Sequence, residues 1–347
     1  MAKQFRVALT ADSFDSDGQP VWENMGLDIL ESVAGLSFAP LAEKRPVVGP
    51  DQLVGVQALL VMGSGVDAET VSRSEDLILL SRFGVGYDKI DVEACTEADV
   101  ALTITAGAVN RSVAEATVGW MIALTHHVLI KDRIVRTGDW DTRTAYPGRE
   151  LRDRTLGVVG LGRIAEETLR LLGSFGMQPP LAFDPHVNED TAKSLGVRVV
   201  DLDTLLSTAD FVSLHCPLTD ETRGLIGKRE IAMMKPDAYL INTARGGIVD
   251  ENALYEALDQ GTIAGAALDC FAEEPLTEPS RFRTLDNILL APHSIAWTRE
   301  LFRDVGRMAC QATVDFATGK TPAGVVNPEV LDTPSFQEKW ARLRLTS

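Results

Sequence analysis

The stretch that decides the fold is Leu156-Gly-Val-Val-Gly160-Leu-Gly162-Arg-Ile-Ala165. An apolar run ends in a glycine-rich turn of the pattern G-x-G-x-x-A, and a helix-forming segment follows, which is the order that a dinucleotide-binding turn requires. Gly160 permits a tight turn, Gly162 lets the backbone approach a pyrophosphate, and Ala165 is small enough for the helix to pack on the sheet. Amide groups at the helix N-terminus would then face the phosphates.

An acidic residue follows the next predicted strand. Asp184 lies 24 residues after Gly160, where a carboxylate can accept hydrogen bonds from the adenosine ribose hydroxyls. A negative charge there repels a 2′-phosphate, so the sequence predicts NAD rather than NADP as the cofactor. The alternative is an ordinary turn between a strand and a helix, followed by a surface aspartate.

Working outward from this turn, short apolar runs alternate with helical patterns in two successive series. Such alternation is typical of parallel sheets with helices on their faces. It predicts an α/β fold with two Rossmann-like domains and doubly wound parallel sheets. Residues 107–296 are predicted to form an NAD-binding domain, inserted into a discontinuous, flavodoxin-like substrate domain of residues 1–106 and 297–347. The predicted strands are Arg6–Thr10, Ala58–Met62, Leu77–Ser81, Leu156–Val159, Leu181–Phe183, Phe211–Leu214, Tyr239–Asn242, Gly265–Leu268 and Ile288–Leu290. The predicted helices are Trp22–Val33, Asp67–Arg73, one long helix over Ser112–Arg136, Arg163–Leu172, and a helical segment after residue 298.

The charge and cysteine content narrow the classes of partner. The chain has 33 basic and 50 acidic residues, a formal net charge of −17, so neither nucleic acid nor an anionic membrane is an expected partner. A small anionic substrate would need a local cation. The four cysteines are scattered and form no CxxC pair, so no metal site and no disulfide are predicted. Together with an N-terminus that resembles a strand rather than a signal peptide, they predict a cytoplasmic protein.

Five histidines are the candidates for proton transfer. His126 and His127 lie in the middle of the predicted long helix and are interpreted as packing or solvated residues. His186 follows the ribose-binding acid, and His215 ends a strand beside the predicted cofactor site. His293 ends a strand in Leu-Leu-Ala-Pro-His-Ser, where its imidazole can project from the sheet edge. A hydrogen-bonded histidine without chemistry is the alternative there.

Two further strand ends favour a chemical role for His293. Arg245 stands in Asn-Thr-Ala-Arg-Gly-Gly, where small neighbours let a guanidinium hold a carboxylate through two hydrogen bonds. The alternative is a surface arginine before a turn. Glu274 could hydrogen-bond to His293 and favour its imidazolium form, and Asp269 could influence a nicotinamide amide or the same histidine.

At these residues the chain resembles the D-isomer-specific 2-hydroxyacid dehydrogenase family, which includes phosphoglycerate dehydrogenases, glyoxylate/hydroxypyruvate reductases and D-lactate dehydrogenases. The resemblance covers about residues 50 to 300. Its ordered motifs are Ser81-Arg-Phe-Gly-Val-Gly-Tyr-Asp88, Ser112-Val-Ala-Glu115, the Gly160 turn, Asp184, His215-Cys-Pro-Leu-Thr219, Thr243-Ala-Arg245-Gly, Asp269-x-Phe-x-x-Glu274-Pro and Pro292-His293.

The resemblance implies NAD-dependent hydride transfer between a small 2-hydroxy acid and its 2-keto acid, in a homodimer built through the nucleotide domain. It implies that Arg245 anchors the substrate carboxylate and that Glu274 and His293 are the acid–base pair. Substrate would also contact the backbone of Val85 and Gly86. The implied cofactor contacts are Gly160, Gly162, Arg163, Ile164, Asp184, Cys216, Pro217, Thr243, Ala244 and Asp269.

The sequence departs from the family pattern at two positions, and two other functions stay open. Ala165 replaces the usual third glycine, and Trp297 stands where many members have a small residue. Glu274 disfavours formate as substrate, because formate enzymes of this fold carry glutamine there. A phosphite dehydrogenase-like activity stays open, as does an NAD-sensing protein that resembles the corepressors built on this scaffold.

Overall fold

The computed structural model describes residues 4–345, which form two compact units. Residues up to Val109 and from Trp297 onward form the first unit, and Asn110–Ala296 form the second. The second unit is therefore inserted in sequence into the first. Both units are built on wholly parallel sheets with helices between the strands, which confirms the predicted α/β class.

The first unit contains a five-stranded sheet of order β2-β1-β3-β4-β5. This is the flavodoxin-like order, in which the chain reverses direction across the sheet beside β1. Central strands such as β3 are fully buried, as expected for a parallel sheet covered on both faces. The strands are β1 (Phe5–Leu9), β2 (Leu36–Pro40), β3 (Ala58–Val61), β4 (Leu79–Arg82) and β5 (Ala101–Ile104), and the helices are α1 (Leu27–Glu31), α2 (Ala68–Ser72), α3 (Val92–Glu97), α11 (Arg299–Ala317) and α12 (Pro334–Leu343).

The second unit contains a seven-stranded sheet of order β12-β11-β10-β9-β6-β7-β8. The order in which the chain adds strands to this sheet reverses between β6 and β9. In sheets of this kind, ligands bind outside the carboxyl ends of the strands at such a point. The strands are β6 (Leu156–Val159), β7 (Leu181–Phe183), β8 (Arg198–Val199), β9 (Phe211–Leu214), β10 (Tyr239–Asn242), β11 (Gly265–Leu268) and β12 (Ile288–Leu290). The helices are α4 (Asn110–Thr125), α5 (Val128–Thr137), α6 (Arg163–Leu172), α7 (Glu189–Ser194), α8 (Leu202–Thr208), α9 (Lys228–Met233) and α10 (Glu251–Asp259).

The predicted single helix over Ser112–Arg136 is wrong. The segment forms two helices bent by 56°. His127 adopts a positive φ of 52°, and the carbonyl of Thr125 accepts the amide of Arg149 at 2.9 Å instead of continuing a helical ladder. His126 and His127 therefore lie at a helix break rather than in mid-helix.

The first unit also differs from prediction at its helix Trp22–Val33 and at its fourth strand. Only Leu27–Glu31 is α-helical, because Asn24 and Gly26 both adopt positive φ and keep the preceding residues out of the helix. The strand predicted at Leu77–Ser81 lies at Leu79–Arg82.

Helix length and composition also bear on membrane insertion. Among the described residues, no single helix is long and apolar enough to cross a membrane; α4 and α5 pass that test only when taken together.

Candidate functional site

The turn between β6 and α6 contains two glycines with different roles. The fold requires a glycine at position 160 but not at position 162. Gly160 has φ +91°, and a β-carbon there would lie 2.8 Å from the amide nitrogen of Cys216. Gly162 is exposed, has extended backbone, and would place a β-carbon with no atom within 4 Å. The fold therefore leaves open space at Gly162, which suits close approach of a ligand's phosphate groups.

Asp184 ties this turn to the end of β7. Its Oδ2 accepts the amide of Leu161 at 2.8 Å, and its Oδ1 accepts the amide of His186 at 2.7 Å. Each carboxylate oxygen keeps a second lone pair that can accept a hydrogen bond from a hydroxyl group. Arg163 and Ile164 begin α6, where backbone amides have no partner within the helix. The predicted pyrophosphate and ribose contacts thus lie side by side.

The end of β9 lies across from this turn, at the reversal point of the sheet. Cys216 is half-buried and Pro217 is exposed. Nε2 of His215 lies 2.9 Å from the hydroxyl of Ser213. Burial lowers the pKa of His215 to about 4, so this imidazole is neutral at physiological pH. A neutral, half-buried histidine fits a wall of the site rather than a proton donor.

Asn242 builds the turn that carries Arg245. The Asn242 amide accepts the backbone N–H of Ala244 at 3.0 Å and donates to the carbonyl of Arg245 at 2.8 Å. The guanidinium of Arg245 donates to the carbonyl of Ala244 at 2.7 Å, and its side chain is half-buried. A β-carbon at Gly246 would overlap the carbonyl oxygen of Phe271. The turn after β10 therefore packs directly on the turn after β11.

Glu274 and His293 form a hydrogen-bonded pair. Nδ1 of His293 lies 2.7 Å from Oε2 of Glu274, and the side chains are 46% and 26% exposed, respectively. The other carboxylate oxygen, Oε1, accepts the amide of Phe271 at 2.9 Å, which fixes the carboxylate plane. An ionised carboxylate only accepts hydrogen bonds, so this contact requires the tautomer of His293 that carries a proton on Nδ1.

Asp269 holds the backbone of the turn that carries His293. It is 4% exposed, and its Oδ1 accepts the amides of Ser294 at 2.8 Å and Ile295 at 3.1 Å. Its carbonyl accepts the amide of His293 at 2.7 Å. Burial raises the pKa of Asp269, although the two amide hydrogen bonds oppose that shift. Asp269 is therefore joined to the histidine turn.

Thr243 and Ala244 are half-buried at the end of β10, and Thr243 Oγ1 lies 3.3 Å from Thr117 Oγ1 of α4. Since β10, β11 and β12 are adjacent and parallel, their carboxyl ends bring the turns of Arg245, Glu274 and His293 to one sheet edge.

In the first unit, the loop after β4 holds Val85 and Gly86, both half-buried. Arg82 braces this loop: its Nε donates to the carbonyl of Gly86 at 2.9 Å, and its guanidinium also donates to the carbonyls of Phe83 and Val61. Arg82 belongs to the motif Ser81–Asp88, from which the sequence predicted no role for it. The sequence carried a signal, because an arginine that ends an apolar strand and precedes a glycine-rich loop can reach backbone carbonyls.

Trp297 also lies in the first unit, where its ring meets Trp22 and Phe302 edge-on at 5.4 and 5.3 Å between centroids. Trp22 and Phe302 stack on each other at 3.7 Å. Trp297 nevertheless remains 54% exposed, so this aromatic group presents an apolar surface to solvent.

Sequence reasoning also missed Asn242 and Cys270. A short polar residue that ends a strand before small residues is a recognisable turn former, so Asn242 could have been found. Cys270 was not singled out, because its neighbourhood depends on three strands meeting in space.

Comparison with known proteins shows which proteins this chain is similar to. A family model described as D-isomer specific 2-hydroxyacid dehydrogenase, NAD binding domain, matches residues 118–294. D-3-phosphoglycerate dehydrogenase of Methanocaldococcus jannaschii is 37% identical over 337 residues, which cover 97% of the chain and 61% of that protein. The chain therefore spans about three-fifths of the length of that relative.

Two other relatives match over nearly their whole length. Glyoxylate reductase of Korarchaeum cryptofilum is 36% identical over 338 residues, covering 96% of the chain and 99% of that protein. The crystal structure of D-lactate dehydrogenase from Aquifex aeolicus, complexed with NAD and lactic acid, superposes with a TM-score of 0.80 and 26% identity, covering 92% of the chain and 98% of that structure.

Proposed function

The chain belongs to the D-isomer specific 2-hydroxyacid dehydrogenase family, and on that premise we propose that it interconverts a small D-2-hydroxy acid and its 2-keto acid with NAD. The observation that carries the proposal is the 2.7 Å hydrogen bond between Glu274 and His293, at the sheet edge that also carries Arg245. A proton donor, its carboxylate partner and a cation for an acid substrate are the groups that this reaction needs.

NAD is assigned to the second unit. Gly160, Gly162, Arg163 and Ile164 would hold the pyrophosphate, and Asp184 would accept the ribose hydroxyls. The open space at Gly162 supports this fit. When bound, NADH supplies a hydride to C2 of the keto acid. The remaining contacts of the cofactor are assigned to Cys216, Pro217, Thr243, Ala244 and Asp269.

His293 is assigned as the acid–base residue. Its Nδ1 proton is held by Glu274, so Nε2 is the ring nitrogen that exchanges a proton with the substrate. In the direction of reduction, the imidazolium donates the Nε2 proton to the C2 oxygen, which becomes the hydroxyl. In the direction of oxidation, neutral His293 accepts that proton. The carboxylate of Glu274 stabilises the charged imidazolium that alternates with the neutral form.

Arg245 is assigned as the anchor of the substrate carboxylate. A net charge of −17 repels small anions, so capture of a keto acid needs a local guanidinium. The planar group can hold a carboxylate through two parallel hydrogen bonds and polarise the adjacent carbonyl. Backbone amides at Val85 and Gly86 of the first unit are proposed as further substrate contacts, a task that glycine-rich backbone performs well.

The test is turnover of NADH with a panel of glyoxylate, hydroxypyruvate, pyruvate and bulkier 2-keto acids, and reduction of NAD with phosphite. We expect turnover with at least one keto acid, and a fall of about 10²–10⁴-fold in His293→Gln. His126→Gln, which alters an exposed histidine at the helix break, is the matched control and retains activity. Saturable NADH binding without any turnover would indicate an NAD sensor, and turnover of phosphite alone would indicate the phosphite activity.

A homodimer through the second unit is proposed as well. Val128, Leu129, Val135 and Trp140 are each about half exposed, an unusual apolar content for a free surface. Leu129 also lines a groove of about 340 Å³ together with Ile288 and Leu289 of the edge strand β12. Sedimentation should show a dimer, and Trp140→Glu should shift it toward monomer.

The matched control for the dimer is Val199→Glu, on β8 at the opposite edge of the sheet, which should leave the dimer intact. A monomeric parent chain would contradict the dimer.

A cytoplasmic location is proposed too, supported by the absence of any disulfide among the four cysteines of the described chain.

A further inference from the structure

A thiol lies beside the acid–base pair. Cys270 follows Asp269 after β11 and is 2% exposed. Its Sγ, a carboxylate oxygen of Glu274 and a ring nitrogen of His293 all lie within 4.8 Å of one another. Among residues 4–345 this is the one such group of three cysteine, histidine or carboxylate side chains.

The donor set selects a class of cation. Thiolate, imidazole and carboxylate together suit Zn²⁺ and the chemically similar Co²⁺ and Cd²⁺, whereas Mg²⁺ and Ca²⁺ prefer oxygen ligands alone. Tetrahedral zinc ligands stand about 3.5 Å apart, so the three side chains would need to approach one another by about 1 Å.

Contacts with the surrounding protein and with solvent bear on that movement. Sγ of Cys270 donates a long hydrogen bond, 3.5 Å, to the carbonyl of Ala244. The Phe271 amide holds Oε1 of Glu274, on the side away from the oxygen that meets the imidazole. The half-exposed imidazole of His293 offers the cation a route from solvent, and water can complete the fourth position.

We propose that Cys270, Glu274 and His293 form a binding site for Zn²⁺ or a similar thiophilic divalent cation, and that occupancy of this site inhibits the enzyme. On binding, the thiol releases its proton to solvent and its sulfur coordinates as the thiolate, while the proton on Nδ1 of His293 moves to Nε2 so that Nδ1 coordinates as neutral imidazole, with no change of oxidation state. The metal replaces the Nδ1 proton that joins His293 to Glu274, so the imidazole can no longer accept and donate a proton at Nε2. Inhibition rests on the proposed oxidoreductase function, whereas binding of the cation does not.

Binding is tested with Co²⁺ on the full chain, kept reduced. Wild type should take up one Co²⁺ per chain with a thiolate-to-cobalt charge-transfer absorption, and Zn²⁺ should displace it. Cys270→Ser keeps the size of the side chain but supplies a poor ligand, so the absorption should disappear. Cys95→Ala, which removes a buried thiol of the first unit, is the matched control and keeps the absorption. Absence of the band in wild type, or its persistence in Cys270→Ser, overturns the site.

Inhibition is tested on turnover of NADH with the best keto acid. Zn²⁺ should inhibit wild type reversibly, with recovery on adding a chelator. The concentration for half inhibition should rise at least about tenfold in Cys270→Ser, whose activity without metal is unchanged. Equal sensitivity of Cys270→Ser and wild type overturns the inhibitory role. A chain that binds Co²⁺ through Cys270 but reduces no keto acid would refute the proposed function and leave the binding site standing.

Discussion

Asp269 holds His293 in a left-handed backbone conformation. The φ of His293 is +53°, a region that costs a non-glycine residue about 1–2 kcal/mol. The Asp269 carbonyl accepts the His293 amide, and the Asp269 carboxylate accepts the next two amides along the chain. This relationship makes Asp269 a positioning residue for the imidazole, in addition to its assigned place near the nicotinamide.

Asp269→Ala should lower kcat by about 10²-fold, because a displacement of about 1 Å at a reacting group has that effect. Asp269→Asn keeps an oxygen that accepts both amides and should recover most of the activity, whereas a role that required the negative charge would not be rescued. Steady-state kinetics on both variants checks this. Equal loss in Asn and Ala variants would contradict the positioning role.

The two glycines of the β6–α6 turn should respond differently to alanine. Gly160→Ala places a side chain at positive φ against the Cys216 amide and should lower the free energy of unfolding by about 1–3 kcal/mol. Gly162→Ala meets no protein atom, so stability should stay within about 0.5 kcal/mol while NADH binds more weakly. Denaturant unfolding and NADH fluorescence titration separate the two effects. Normal NADH affinity in Gly162→Ala would argue against the pyrophosphate site.

His215 should make the fold sensitive to acid. Burial lowers its pKa from the ordinary 6.5 to about 4, so below pH 6.5 the unfolded chain takes up a proton that the folded chain refuses. Stability is therefore unaffected above pH 6.5 and is lost as the pH falls toward 4, by about 3 kcal/mol at most. Unfolding at several pH values should show a shallower acid loss in His215→Gln, with His126→Gln as control. Identical acid slopes for His215→Gln and wild type would disprove this.

Arg82 should affect substrate binding through the loop of Val85 and Gly86. Arg82→Met removes the donors to the loop carbonyls, so the KM for the keto acid should rise about tenfold while the Kd of NADH is unchanged. Arg73→Met, at an exposed arginine of the same unit, is the control. An unchanged KM, or an equal loss of NADH affinity, would contradict the role of Arg82.

The strands of the second unit other than β8 could be predicted from sequence, because strands buried on both faces are continuous apolar runs that end in glycine or polar residues. Leu156–Val159 and Tyr239–Asn242 are examples, and the structure places them at the predicted bounds. Leu36–Pro40 and Arg198–Val199 were not predicted, since these edge strands are largely exposed and lack the apolar signal. Ala101–Ile104 was missed although it is mostly buried.

The outline of the candidate site could be predicted because the carboxyl ends of parallel strands lie along one edge of the sheet. The turns after adjacent strands therefore lie close together, and Glu274 meets His293. Other features depend on tertiary contacts that no local pattern encodes. The helix break at His127 follows from a hydrogen bond to a distant segment, and the approach of Cys270 to the acid–base pair follows from the packing of neighbouring turns.

The most direct test of the central claim is transfer of deuterium from NADH labelled on the transferable C4 position. We expect the product of the preferred keto acid to carry deuterium at C2, to be the D-2-hydroxy acid, and to form about 10²–10⁴-fold more slowly in His293→Gln. In Arg245→Gln, transfer should slow while NADH binding is retained. Product without deuterium at C2, or undiminished transfer in His293→Gln, would contradict it.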